Sequence, residues 1–191
     1  MSQVFVSGHK SPDTDSIAAA LSYSYLKRRL GMDAVAVRAG EINKESRFAL
    51  DYFNLEEPIL VTSVARKNPE DEKQKVILVD HNESKQTIDG MDDAEVLEII
   101  DHHRFGDFES ENPIFILVRP VGCVNTVIYG LYKANHIKPS REIAGIMLSA
   151  IISDTVLFRS PTTTEEDKET AKELAEIAGV DYEAYGMEML K

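Results

Sequence analysis

The sequence predicts an α/β protein built on a doubly wound, mainly parallel, five-stranded sheet flanked by helices. In the first half of the chain, short apolar runs alternate with longer segments in which apolar residues recur at helical spacing. This alternation favours crossover connections and therefore parallel strands. Residues 76–79 form an unbroken apolar run, which is typical of a strand covered on both faces of its sheet.

Each predicted element has a local signal of its own. Strands are expected at residues 3–7, 34–37, 76–79, 96–100 and 114–118. Helices are expected at residues 16–30, 44–53, 124–135, 140–152, 164–178 and 182–190. Gly31 follows the first helix as a C-cap signal, and the spacing of Thr163 and Glu166 predicts a capping box at the fifth. The polar residues 67–75 are expected to form a surface loop.

Composition narrows the class of protein. The chain has 191 residues, 43% of them hydrophobic and 28% charged, which suits one globular domain with a full core or two small ones. The net charge of −12, with no cationic cluster beyond residues 27–29, argues against nucleic-acid binding and is compatible with divalent metals. No apolar run approaches the ~20 residues of a membrane span, and we expect no signal peptide, because a strand pattern begins almost at once.

The single cysteine, Cys123, excludes an internal disulfide and fits a reducing compartment. We therefore expect a cytoplasmic protein with no membrane partner. Cys123 itself is expected to be a small buried hydrophobe, as free cysteines commonly are.

Metal-type ligands follow four of the apolar runs. They are His9, Asp13, Asp15, Asp80, His81, Asp101, His102, His103 and Asp154. Because the carboxyl ends of parallel strands face one crevice, residues this far apart in sequence are expected to converge on one site. Nitrogen and oxygen ligands without thiolates favour Mn²⁺, Mg²⁺ or a related ion over a structural zinc site.

Simpler interpretations exist for several of these residues taken singly. Asp13 could be a helix N-cap, and Asp154 could be a solvated helix end. His81 could be a core histidine or could orient Asp80, and we favour either over direct ligation. Asp13 and Asp15 point the same way in an extended segment, so they could serve adjacent metals that Asp80 bridges. Two such ions ~3.5–4 Å apart can activate a bridging water.

At these motifs the chain resembles the DHH phosphoesterase superfamily, whose name describes Asp101-His102-His103. It is more closely similar to the N-terminal domain of the family II, manganese-dependent inorganic pyrophosphatases. The resemblance rests on residues 8–15, 79–83, 101–104, 120–122, 142–145, 149–155 and 174–180. Those segments are spread over essentially the whole chain.

The resemblance implies a role for each ligand-type residue. His9 and Asp13 would bind the first metal, while Asp15, His102 and Asp154 would bind the second. Asp80 would bridge the two ions, which would be Mn²⁺, with Co²⁺ or Mg²⁺ as substitutes. The implied reaction is hydrolysis of pyrophosphate to two phosphates by a metal-bridging hydroxide. His103 and Asp80 would be the catalytic residues, with His103 donating to pyrophosphate rather than binding metal.

The resemblance also implies a second domain and a second copy of the chain as partners. Complete family members carry a C-terminal, substrate-binding domain with a basic Ser-Arg-Lys motif, and no such tripeptide occurs here. Residues 1–191 are therefore expected to be the metal-binding catalytic domain alone, either a fragment or a naturally short form, weakly active or inactive by itself. A homodimer is implied through this domain, with its interface at the edge strand 114–118.

Two other functions stay open at this point. The chain could be another DHH phosphodiesterase that acts on short oligonucleotides, cyclic dinucleotides or polyphosphate. Those relatives typically have Asp-Gly-Asp-Ala in the first motif, where this chain has Asp13-Thr14-Asp15-Ser16. It could also be a non-catalytic module for metal binding or dimerisation.

Overall fold

The computed structural model describes residues 2–191 and confirms the α/β class with its parallel sheet. The strands are β1 Val4–Ser7, β2 Ala34–Arg38, β3 Ile59–Leu60, β4 Lys75–Val79, β5 Glu95–Asp101 and β6 Phe115–Val118. The helices are α1 Thr14–Arg29, α2 Lys44–Tyr52, α3 Val124–Ala134, α4 Arg141–Thr155, α5 Glu165–Ala178 and α6 Tyr182–Met189. All eleven of the predicted elements are present, within two or three residues at each end.

The sheet has one strand more than the sequence predicted. The additional strand, β3, is only two residues long and pairs with the end of β2. All neighbours are parallel, in the order β3-β2-β1-β4-β5-β6. The chain therefore builds outward from β1 on one side, then returns to start again at β4 on the other. The direction of winding reverses between β1 and β4, which is where open parallel sheets form their ligand crevice.

The two faces of the sheet are covered differently. All six helices contribute side chains to one hydrophobic cluster, which includes Val6, Ile77 and Ile100 from the strands. The opposite face carries a smaller cluster around Leu78 and Ile99. Loop residues such as Val64, Ile88 and Phe108 and the short 3-10 turn at Met91–Asp93 supply its cover, rather than a second layer of α-helices. Both faces are nevertheless buried, as the apolar β4 sequence predicted.

Helix ends follow local sequence signals, with one displacement. Asp13 is the N-cap of α1 and accepts from the Ser16 amide. The capping box of α5 uses Thr164 and Asp167, one residue later than the predicted Thr163 and Glu166. Both pairs have the required spacing, but only Asp167 is fully buried. Within residues 2–191, no helix has the length and hydropathy needed to cross a membrane.

Candidate metal centre

The ligand-type residues converge at the carboxyl ends of β1, β4 and β5. His9 and Asp13 lie in the loop between β1 and α1, and Asp80 follows β4 directly. His102 comes immediately after β5, while Asp154 lies in the last turn of α4. Since β1, β4 and β5 are neighbours in the sheet, their ends bring these side chains together across the winding reversal.

Asp80 lies at the centre of the group and faces both sides. Its Oδ2 is 3.4 Å from Nε2 of His9, and its Oδ1 is 3.1 Å from Nε2 of His102. Ser16 Oγ also donates to Oδ2, at 2.9 Å. The backbone of Asp80 has φ of 63°, in the left-handed region, where a non-glycine residue typically costs ~1–3 kcal/mol and is often found at functional sites. That turn directs a carboxylate that is 1% exposed between the two histidines.

The first ligand group consists of His9, Asp13 and Asp80. Nε2 of His9 lies 3.5 Å from Asp13 Oδ1, and the ligand atoms of all three residues lie within 4.8 Å of one another. His9 Nδ1 donates to the Lys10 carbonyl at 2.6 Å, which leaves Nε2 on the side of the carboxylates. Asp13 thus caps α1 and also faces His9, so its capping role leaves an oxygen on the side of the candidate metal site.

The second ligand group consists of Asp15, Asp80, His102 and Asp154. Nε2 of His102 is 3.5 Å from Asp15 Oδ2 and 4.0 Å from Asp154 Oδ2. Asp15 is fully buried in the first turn of α1. The side chain of Asp154 is 20% exposed. Asp154 is therefore part of the cluster rather than a solvated helix end.

Burial and charge perturb the pKa values of His9, His102 and Asp80. Burial alone would lower the pKa of His9, but hydrogen bonds to Asp13 and Asp80 outweigh it and raise the pKa to about 11. Burial likewise opposes the protonation of His102, and contacts with Asp80 and Asp15 raise its pKa to about 10. Burial disfavours the carboxylate form of Asp80, yet the two histidines hold its pKa far below the usual range. In the metal-free protein the rings of His9 and His102 are therefore protonated, and the protons occupy nitrogens that would bind a cation.

Asp15 and Asp154 behave in the opposite way. Burial raises the pKa of both carboxyls, and their mutual repulsion raises the pKa of Asp154 further. Ligand oxygens of the two residues lie within 4.8 Å of each other, and ionising two carboxyls this close in a buried site is unfavourable. A cation placed between them would remove that penalty, so this pair also fits a metal site.

His103 is exposed and is held by a buried acid. Its Nδ1 donates to Asp101 Oδ1 at 2.7 Å, while its side chain is 49% exposed. Asp101 accepts further bonds from the backbone amides of His102 and His103 and from Asn82 Nδ2. The hydrogen bond to Asp101 raises the pKa of His103, which favours a charged donor at the mouth of the crevice.

Several neighbours of the candidate ligands lacked a sequence signal of their own. Cys123 is buried as expected, but its thiol donates to Asp15 Oδ1 at 2.9 Å. Asn125 Nδ2 donates to the same oxygen at 2.6 Å. Burial and then the Asp15 charge raise the pKa of the Cys123 thiol well above its usual range, so the thiol is protonated in the metal-free protein. His81 is a buried, neutral histidine whose Nδ1 donates to the Val79 carbonyl.

Comparison with known proteins supports the interpretation of these motifs. The "Probable manganese-dependent inorganic pyrophosphatase" of Exiguobacterium sp. strain AT1b is 54% identical over 191 residues, which cover all of this chain and 60% of that protein. The protein of the same description from Bacillus licheniformis gives the same identity and coverage. The chain therefore spans about three fifths of the length of these relatives.

Solved structures agree on the fold. The structure of a "putative family II inorganic pyrophosphatase" from Methanococcus jannaschii has a TM-score of 0.88 and 43% identity, covering 98% of this chain and 60% of that one. An exopolyphosphatase-related protein from Bacteroides fragilis has a TM-score of 0.70 at 20% identity and shows the shared fold alone. Residues 3–151, which include the loop after β1 and the ends of β4 and β5, match the description "DHH family, N-terminal domain". By that match, the chain belongs to the DHH family.

Proposed function

We propose that this chain supplies the metal-binding half of a manganese-dependent inorganic pyrophosphatase. The observation that carries the proposal is the position of Asp80, whose two oxygens face two separate histidine–carboxylate groups. A carboxylate held this way is suited to bridging two cations. The resemblance of the motifs and the names of the relatives point to the same activity.

The residues present fit a pair of divalent cations. His9 and Asp13 would hold one ion, His102, Asp15 and Asp154 the other, and Asp80 both. The donors are imidazole nitrogens and carboxylate oxygens, which suit Mn²⁺ with Co²⁺ or Mg²⁺ as substitutes. When bound, the two cations would activate water for attack on phosphorus and neutralise charge on the phosphate oxygens.

The protein's own residues orient this chemistry. Nδ1 of His103 donates to Asp101, which leaves Nε2 to donate to an anion such as pyrophosphate. Ser16 and the His102 ring hold Asp80 from opposite sides. The crevice itself is dominated by carboxylates. We therefore propose that the attacked phosphate is gripped by cationic groups from outside residues 1–191.

Phosphate release from pyrophosphate tests the proposed division of labour. Residues 1–191 with Mn²⁺ should bind metal yet turn over at least about 10²–10³-fold more slowly than the same chain joined to the C-terminal part of a relative, because charge stabilisers of the transition state are missing. Asp80→Asn should abolish the activity of the joined enzyme, whereas His136→Asn, at an exposed turn, should not. Full turnover by residues 1–191 alone would refute the division. Faster cleavage of an oligonucleotide, cyclic dinucleotide or polyphosphate would favour a DHH phosphodiesterase instead.

We also propose a homodimer through β6. This strand is at one edge of the sheet, and Phe115 and Ile116 on it are 49% and 43% exposed. An exposed apolar edge is stabilised when a second copy covers it. Sedimentation should show a dimer that Ile116→Lys dissociates and that Ile59→Lys, on the opposite edge strand, leaves intact. A monomeric wild-type protein at micromolar concentration would refute this proposal.

A cytoplasmic location stays a prediction.

A further inference from the structure

We propose that Asp167, on α5, is a positioning residue for the second metal site, although it touches none of the ligands. It does so by fixing residues 121–126, the segment that leads into α3 and that orients two of the ligands. The inference rests on the proposed metal centre and adds a residue that the ligand motifs do not include. Residues 121–126 are a ligand-holding segment in this sense.

One set of contacts joins the ligand-holding segment to His102 and Asp15. The Val121 carbonyl accepts from His102 Nδ1 at 2.9 Å, which leaves Nε2 as the nitrogen available to a metal. The Val124 amide donates to Asp15 Oδ2 at 2.9 Å. The side chains of Cys123 and Asn125 add two bonds to Asp15 Oδ1. Four bonds from five consecutive residues thus set the direction of both ligands.

A second set of contacts joins the same segment to Asp167. The Gly122 amide donates to Asp167 Oδ2 at 2.8 Å, and Thr126 Oγ1 donates to Oδ1 at 2.6 Å. The amide and hydroxyl of Thr164 also donate to Oδ2. Asp167 is fully buried, and a buried carboxylate is tolerated only when its oxygens are hydrogen bonded, as these are.

The fit at Gly122 leaves the segment little freedom to move. A Cβ at this position would lie 2.8 Å from Asp167 Oδ2 and 3.2 Å from both Thr155 Cγ2 and the Thr162 carbonyl. The backbone of the segment therefore sits directly against the carboxylate. If Asp167 is removed, the Gly122 amide loses its buried partner and the segment can shift, taking the Val121 carbonyl and the Val124 amide with it.

The role proposed here is separate from helix capping. The capping box requires only the contacts between Thr164 and Asp167, which are three residues apart. The bonds to Gly122 and Thr126 join residues 45 and 41 positions apart and stabilise no helix turn of α5. Loss of the cap alone should therefore lower stability without changing metal affinity at one site selectively.

Calorimetric Mn²⁺ titration of residues 2–191 tests the inference without measuring activity. Asp167→Ala should weaken one of the two ions by about 10–100-fold, the usual effect of removing a group that orients a metal ligand. Adding Asp13→Asn to Asp167→Ala should remove the ion that remains tight, which identifies it as the one at His9. Thr164→Ala, which removes the cap and keeps the Gly122 contact, should leave both affinities unchanged. Asp167→Asn, whose amide oxygen can still accept from Gly122, should restore most of the lost affinity.

The outcomes separate this inference from the proposed function. A wild-type chain that binds no pair of ions would overturn the metal centre itself. A wild-type chain with two ions and an Asp167→Ala variant with the same two affinities would overturn the inference alone, as would equal weakening by Thr164→Ala. If Asp167→Ala does not fold, Thr126→Val removes one bond of the set and should weaken the same ion several-fold. Unchanged affinities in a folded Thr126→Val variant would then overturn the inference.

Discussion

His9 and His102 together should release about two protons per chain when the metal-free protein binds Mn²⁺ at pH 8. The pKa of His9 is raised to about 11 and that of His102 to about 10 by the carboxylates beside them. At pH 8 each ring is therefore protonated in about 99% of molecules or more, and each must lose one proton to offer Nε2 to a metal. Two histidines with the ordinary pKa of ~6.5 would together release only about 0.06 proton.

The same pKa values fix the pH dependence of affinity and its sign. Protons compete with metal at every pH below the folded pKa, so affinity falls as pH falls. Between pH 7.5 and 5.5 each histidine should weaken its ion by about 100-fold, against about tenfold for a histidine of ordinary pKa. The raised pKa of Asp154 adds to the proton release.

Calorimetry in buffers of different ionisation enthalpy measures the number of protons released. His9→Gln should reduce the number by about one, and His136→Asn, at an exposed turn distant in sequence from the ligands, should not change it. Two results would refute this reasoning: release of less than about half a proton at pH 8, or an Mn²⁺ affinity that does not change from pH 7.5 to 5.5. Either would show that the neighbouring carboxylates do not raise the pKa values of these histidines.

Three further predictions concern single residues. Asp80→Asn should weaken both Mn²⁺ ions in a titration, because one side chain faces both groups; retention of two tight sites would refute the bridge. Gly145→Ala should lower the free energy of unfolding, measured in urea, by about 1–3 kcal/mol, because its Cβ would lie 2.3 Å from the Phe53 ring. Gly130→Ala is the control: its Cβ would meet no atom within 4 Å, so it should be neutral or stabilising by up to ~1 kcal/mol. Cys123 should react with a thiol reagent only on unfolding, and rapid labelling of the native protein would contradict its burial and raised pKa.

Periodic and strongly local features were predictable from the sequence. The apolar runs and helical spacing located five strands and all six helices, because each spans several residues of a repeating pattern. β3 was missed because Ile59 and Leu60 are two exposed residues, too few to show a period. Its pairing with β2 depends on the path of the chain rather than on any local signal.

The capping box shows how tertiary contacts choose between equal local signals. Thr163 with Glu166 and Thr164 with Asp167 have the same spacing. Asp167 prevails because the Gly122 amide and the Thr126 hydroxyl also bind its carboxylate. Glu166 instead pairs with Arg119 on the surface.

The ligand-type residues could be identified from the sequence, but the groups that orient them could not. His9, Asp80 and His102 follow apolar runs and belong to recognisable motifs. Asn125 and Cys123 bind Asp15 from more than a hundred positions away, and neither residue type is informative alone. Only the docking of α3 against α1 makes them part of the centre.

The spacing of the candidate ligands along the chain has a consequence for folding. They extend from His9 to Asp154, and even the first group requires the ends of both β1 and β4. No contiguous stretch of the polypeptide can therefore assemble either group before the sheet has formed. A cation that binds only the assembled state stabilises it by mass action. Contacts made after the transition state slow unfolding and leave the folding rate nearly unchanged. Divalent metal should therefore act on this chain mainly by lowering the rate of unfolding, which lengthens the lifetime of the native state once α4 has docked.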